Sequence, residues 1–109
     1  MTSMCKFMVV LCRRPDFSRQ QFLDYLRDVH GPLAESIPGV LKYVQNHVVD
    51  DRTRQDPGWD AIVELQWQDR ATMETAWLTP QGQAATNDLP LFADLTRTRW
   101  SIVEEHVRR

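Results

Sequence analysis

No stretch of this 109-residue chain approaches the roughly 20 consecutive apolar residues that a membrane-spanning helix needs. The opening Met1-Thr2-Ser3-Met4-Cys5-Lys6 also lacks the charged-then-apolar order of a secretory signal. Both absences point away from the membrane and toward the cytoplasm. Charge of one sign is missing too: 13 basic and 15 acidic side chains, scattered along the chain, give a formal charge of −2. Such a surface has no special attraction for phosphate backbones, so nucleic acid is not an expected partner. Cysteine is scarce. Cys5 and Cys12 are an odd number of residues apart, which puts them on opposite faces of a strand; they are expected to be reduced, packed thiols. The four glycines form no phosphate-cradling loop or nucleophile elbow, and there is no CxxC pair. Nucleotide cofactors, serine hydrolysis and dithiol redox chemistry therefore have no support. The three histidines fall on separate elements without a His-x-His or His-x-x-x-His spacing, so no metal site and no cofactor are expected.

What is present begins with a well-marked helix between Phe17 and Gly39. Ser18 can cap its first turn, Gln21 stands where a capping box needs it, and Phe17 and Phe22 can form a hydrophobic staple. Phe22, Tyr25, Leu26, Val29 and Leu33 recur at helical spacing as one buried stripe. The segment is expected to stop at Asp28-Val29-His30-Gly31-Pro32. His30 would then lie roughly 80° from the stripe's centre, on the border of core and solvent.

Four strands are expected around it. Cys5 to Arg13 is an apolar run too short for a buried helix and reads as a central strand. In Val40 to Val49, Leu41, Tyr43, Gln45 and His47 share one face, the mixed lining of a polar-tipped apolar cavity. The charged, Pro-Gly-terminated stretch Asp50 to Gly58 is a loop, and Trp59 to Trp67 is the third strand, with Trp59, Ala61, Val63, Leu65 and Trp67 on one face. Asp69 caps a helix over Arg70 to Leu78, Thr79-Pro80 restarts it toward Asp88 or Leu89, and Pro90 stops it. Arg97 to Val107 is the last strand, with His106 facing solvent near its end.

Length and a 42% hydrophobic content suit one domain spanning residues 1–109. The order strand, helix, strand, strand, helix, strand gives an α+β, ferredoxin-like βαββαβ fold: a four-stranded antiparallel sheet with both helices on one face. The other face carries large apolar side chains and must meet something. A second copy is the simplest candidate, so a homodimer closing into a dimeric α+β barrel is expected.

The runs Cys-Lys-Phe-Met-Val-Val-Leu-Cys-Arg-Arg-Pro, Phe-Leu-Asp-Tyr-Leu-Arg-Asp-Val-His-Gly-Pro-Leu and Ile-Pro-Gly-Val-Leu-Lys-Tyr-Val-Gln-Asn, with the terminal Glu-Glu-His-Val, resemble the EthD family of dimeric α+β barrel proteins. Val-His-Gly-Pro-Leu is the most specific part. The resemblance implies a homodimer with a small-molecule pocket between sheet and first helix, and it assigns His30 the place of the family's His-(Ala/Gly)-Pro histidine. Relatives include isomerases, aromatic polyketide cyclases, dehydratase-like enzymes, cofactor-free monooxygenases and a protein that accompanies an ether-degrading oxygenase.

Two functions of different class stay open. One is a cofactor-independent enzyme of the isomerase, cyclase or dehydratase kind, moving protons on a small apolar cyclic or carbonyl substrate in catabolism or secondary metabolism; a cofactor-free monooxygenase is its variant. The other is a non-catalytic accessory protein that holds such a compound for an oxygenase. His30 is the candidate acid or base, because an imidazole with a pKa of about 6.5 responds to modest changes of surroundings. The competing reading has it capping the helix C-terminus. Asp28, two residues earlier, points to another side of the helix and is a poor partner. Tyr43 and His47 could orient a substrate oxygen, and Trp67 is the tryptophan assigned to the pocket, most other aromatics being core or dimer contacts.

Overall fold

The computed structural model describes residues 4–109. Met1, Thr2 and Ser3, which open the stretch weighed against a secretory signal, lie outside the described residues. Strands β1 (Cys5–Leu11), β2 (Lys42–His47), β3 (Ala61–Trp67) and β4 (Arg99–Val103) form one sheet in the order β2-β3-β1-β4, every pair antiparallel. Each strand is shorter than the sequence pattern suggests, β1 at its C-terminal end, β3 at its N-terminal end, and β2 and β4 at both. Cys12 and Arg13 leave the ladder at β1, and Asp60 donates its backbone N–H to the Leu11 carbonyl at 2.8 Å just before β3 begins.

Strand periodicity decides what the helices cover. Cys5, Phe7, Val9 and Leu11 of β1 face the same side as Ala61, Val63, Leu65 and Trp67 of β3, as the register Phe7 to Leu65 and Val9 to Val63 requires. On this side pack helices α1 (Arg19–Tyr25), α2 (Gly31–Glu35), α3 (Arg70–Leu78) and α4 (Pro80–Asp88). The core there includes Phe22, Leu26, Trp67 and Phe92 at 0% exposure. Burying one such side chain stabilises the fold by about 1.5–3 kcal/mol. No helix among the described residues is long and apolar enough to cross a membrane.

Caps set the helix starts. The Ser18 hydroxyl accepts from the Gln21 backbone N–H, and the Gln21 side chain accepts from that of Ser18, completing the capping box. Asp69 caps α3 through the Thr72 N–H, and Thr79 caps α4 through that of Gly82. The α3–α4 break is tight: a Cβ on Gly82 would stand 2.1 Å from the Ala76 carbonyl oxygen.

The first helix departs from the sequence expectation. It does not stop at His30-Gly31-Pro32 but continues to Glu35 through a π turn over Leu26–His30, whose closing bond runs from the Gly31 N–H to the Leu26 carbonyl. Pro32 has no N–H for an α-helical bond and its ring would crowd the carbonyl four residues back. The wider i→i+5 turn accommodates both. Because such a turn winds more slowly than the ~100° per residue of an α-helix, the buried stripe slips by one residue. Val29 turns outward at 47% exposure, and His30 takes the core position at 7%.

Candidate active site

His30 is therefore a mid-helix core residue rather than a C-terminal cap, and it meets a buried acid. Its Nδ1 lies 2.9 Å from Asp88 Oδ2, and the Tyr25 hydroxyl donates to Asp88 Oδ1 at 2.8 Å. The elements explain the meeting. Tyr25 and His30 lie on one side of the first helix, and Asp88 ends α4, which packs beside α2. Phe92 backs the group, with ring centroids 4.7 Å from Tyr25 and 5.0 Å from His30.

Since a carboxylate oxygen accepts, His30 donates through Nδ1–H and the lone pair resides on Nε2. Burial holds the imidazole below its ordinary range, and the hydrogen bond to Asp88, acting the other way, does not overcome it. Near neutral pH the ring is an uncharged base. Burial, reinforced by Asp88, pushes the Tyr25 phenol up to about 12. Tyr25 therefore stays a donor to Asp88.

His30 lines a cavity of about 430 Å³ between the helix-side face of the sheet and the helices. Its floor is apolar, with Phe7, Val9, Val63 and Leu65 from the central strands, and Trp77 and Trp100 stand at its sides. Trp100, on the edge strand β4, is 60% exposed and marks the open side. Apolar walls with a few convergent polar groups are the usual make-up of a small-molecule site.

Tyr43 lines this cavity, and burial raises its phenol pKa against the lowering effect of a hydrogen bond from Gln45. His47 shares the helix-side face of β2, but it does not reach the cavity wall; its Nε2 bonds the Gln45 side chain at 2.8 Å. Trp67 lies beneath the wall. It is wholly buried, donates its indole N–H to the Pro38 carbonyl at 3.1 Å and packs edge-on against Trp77, which does face the space. His106 is exposed, with Glu104 3.8 Å away. Thus His30 and Tyr43 come together at the cavity, while His47 and Trp67 stand behind it. Among the described residues no three His, Cys, Asp or Glu side chains converge as metal ligands.

Sequence reasoning missed Asp88, and it placed Gln45 on the mixed face of β2 without giving it a role. Asp88 did carry a local signal: an acid in the last turn of a helix opposes the macrodipole and needs a compensating donor nearby. Gln45 carried none beyond its place on the mixed strand face.

Fold and cavity together define a ferredoxin-like α+β protein with a pocket enclosed between sheet and helices. The EthD domain model matches residues 14–96, and the chain belongs to the EthD family. A solved EthD family protein from Bacillus halodurans superposes with a TM-score of 0.80 at 23% identity, covering 94% of this chain and 99% of that one. SnoaB, a cofactor-independent oxygenase from Streptomyces nogalater, is similar with a TM-score of 0.66 at 10% identity, covering 98% and 97%. A dimeric protein of ferredoxin-like fold from Bacteroides fragilis gives 0.69 at 13%, covering 94% and 96%. Likenesses at these identities concern the fold. No curated protein matches this sequence.

Proposed function

We propose that this protein is a cofactor-independent enzyme that moves a proton on a small, largely apolar cyclic or carbonyl compound, with His30 as the general base. The observation that carries this reading is the His30–Asp88 pair at the wall of an apolar cavity. A neutral imidazole oriented by a carboxylate through one nitrogen offers its other nitrogen to substrate. The substrate's C–H or O–H proton passes to Nε2, the electron pair stays on the substrate, and Asp88 faces the imidazolium so formed. Returning the proton to a different atom completes an isomerisation; loss of a leaving group completes a dehydration.

A second reading has one specific support, the likeness to a cofactor-independent oxygenase. The anion left by the same proton removal can give electrons directly to O₂, so oxygenation would begin with the same step. An accessory protein that merely holds the compound would need no base at all.

The protein is also proposed to act as a homodimer through the sheet face opposite the helices. Met8, Val10, Val44, Ile62 and Val103 lie half-buried on that face, and the Bacteroides fragilis relative is described as dimeric. A monodisperse monomer by light scattering at micromolar concentration would remove the dimer.

The test of the chemistry needs no knowledge of the native substrate. A panel of enolisable cyclic ketones and lactones is incubated with protein in D₂O, and deuterium incorporation is followed by mass spectrometry alongside O₂ uptake. The enzyme reading expects exchange that falls roughly 10²- to 10⁴-fold in His30→Gln. Exchange undiminished in a well-folded variant, or absent with wild type across the panel, overturns it.

A further inference from the structure

Gln45 sits within a set of polar contacts whose directions are forced. The Leu26 carbonyl can only accept, so the Gln45 atom 2.9 Å from it is the amide nitrogen. The amide oxygen is then the atom facing His47 Nε2 at 2.8 Å, and that nitrogen carries the proton. The same amide nitrogen donates to the Tyr43 hydroxyl oxygen at 2.8 Å. That oxygen is already accepting, and the phenol's own proton has no acceptor among the described residues.

Gly31 supplies a separate observation. Its backbone is helical, φ −51° and ψ −51°, a conformation open to any residue, so its missing side chain answers no conformational need. A Cβ there would stand 3.0 Å from Gln45 Nε2 and 3.1 Å from the Leu26 oxygen. Glycine, a poor helix former, leaves room for the amide to reach the carbonyl at which the π turn closes.

We infer that Gln45 is a positioning residue that commits Tyr43 to donating its O–H into the cavity, so that the site takes a ligand presenting an enolate, phenolate or carbonyl oxygen. This names the substrate class for the proton transfer proposed above and rests on that reading for the base. When the substrate's C–H or O–H bond breaks, the proton goes to His30 Nε2 and the electron pair comes to rest on the oxygen facing Tyr43. Nothing is oxidised or reduced in the step. A preorganised donor aimed at developing negative charge is a recurrent source of catalytic stabilisation.

The probe is 4-nitrophenol, whose phenolate absorbs in the visible and whose neutral form does not. Full-length protein is titrated near the pH at which the free phenol is half ionised. Wild type is expected to bind the phenolate. Tyr43→Phe should weaken phenolate binding about tenfold or more, the value of a hydrogen bond to a charged acceptor. Gln45→Glu should do the same, because the introduced carboxylate accepts the Tyr43 proton and turns it from the cavity. Circular dichroism confirms folding of each variant. His30→Gln, run in parallel, keeps the two readings apart. Binding that survives both Tyr43→Phe and Gln45→Glu but fails in His30→Gln overturns this inference and leaves the base standing. Loss in the first two with retention in His30→Gln upholds the inference, and the base then stands or falls by the deuterium exchange of His30→Gln. An unchanged spectrum with wild type at millimolar phenol overturns it outright.

Discussion

Replacing Asp88 with Asn keeps the side-chain volume and removes the charge, which makes it a direct probe of the paired histidine. In the native chain both carboxylate oxygens accept, from Tyr25 at 2.8 Å and from His30 at 2.9 Å, and the side chain is 9% exposed. An amide offers one accepting atom and one donating atom, so one of the two partners must change role. If the amide oxygen kept His30, the Tyr25 proton would be left buried without its acceptor, a cost of about 1–3 kcal/mol. If it keeps Tyr25, His30 need only move its proton from Nδ1 to Nε2. The second arrangement wins, and the lone pair moves from Nε2 to Nδ1. Two bonds to a charged acceptor, each contributing about 1.5–3 kcal/mol, become neutral ones of about 0.5–1.5 kcal/mol, so stability should fall by about 1–3 kcal/mol. The His30 titration midpoint should also drop below its native value, because the Asp88 contact is what opposes burial. Imidazole ¹⁵N shifts report both the tautomer and the midpoint, and urea unfolding reports the stability. A variant whose His30 keeps its proton on Nδ1, with an unchanged midpoint, would refute the pairing on which the site is built.

Three further outcomes are expected. Because burial depresses the His30 pKa in the folded chain, the unfolded chain binds this proton first as pH falls. Its contribution should be constant above an unfolded value of about 6.5, decline as pH falls from there to the folded midpoint, and level off below. Urea unfolding from pH 8 to pH 5 should show this slope in wild type, and an identical slope in His30→Gln would contradict it. Gly82→Ala places a Cβ 2.1 Å from the Ala76 oxygen and 2.8 Å from the Trp77 Cα, backbone atoms that cannot swing aside. The loss should reach at least about 3 kcal/mol, and a melting temperature near that of wild type would show that the α3–α4 crossing is looser than described. Ser18→Ala removes the accepting half of the capping box and should cost about 1 kcal/mol by chemical denaturation, with no change in His30 titration.

What could be read from the sequence was whatever acts over a few neighbouring residues. The Ser18-Gln21 box, the Asp69 and Thr79 caps, the short apolar run of β1 and the two-residue alternation of β3 are local patterns, and they sufficed to order the elements. Topology then followed, since a strand-helix-strand-strand-helix-strand chain has few ways to cover one sheet face. The family likeness and the candidacy of His30 were legible for the same reason, being carried by contiguous residues. The phase of the first helix was not. An even 3.6-residue winding buries Val29, and only the Pro32-driven π turn, closed on a carbonyl that Gln45 also bonds, exchanges it for His30. The site's chemistry belongs wholly to the tertiary structure. Asp88 is 58 residues from His30, and Gln45 is 19 from Leu26. No periodicity links such pairs, because they meet through the packing of separate elements, and the burial that sets the proton on His30 exists only once those elements have closed over it.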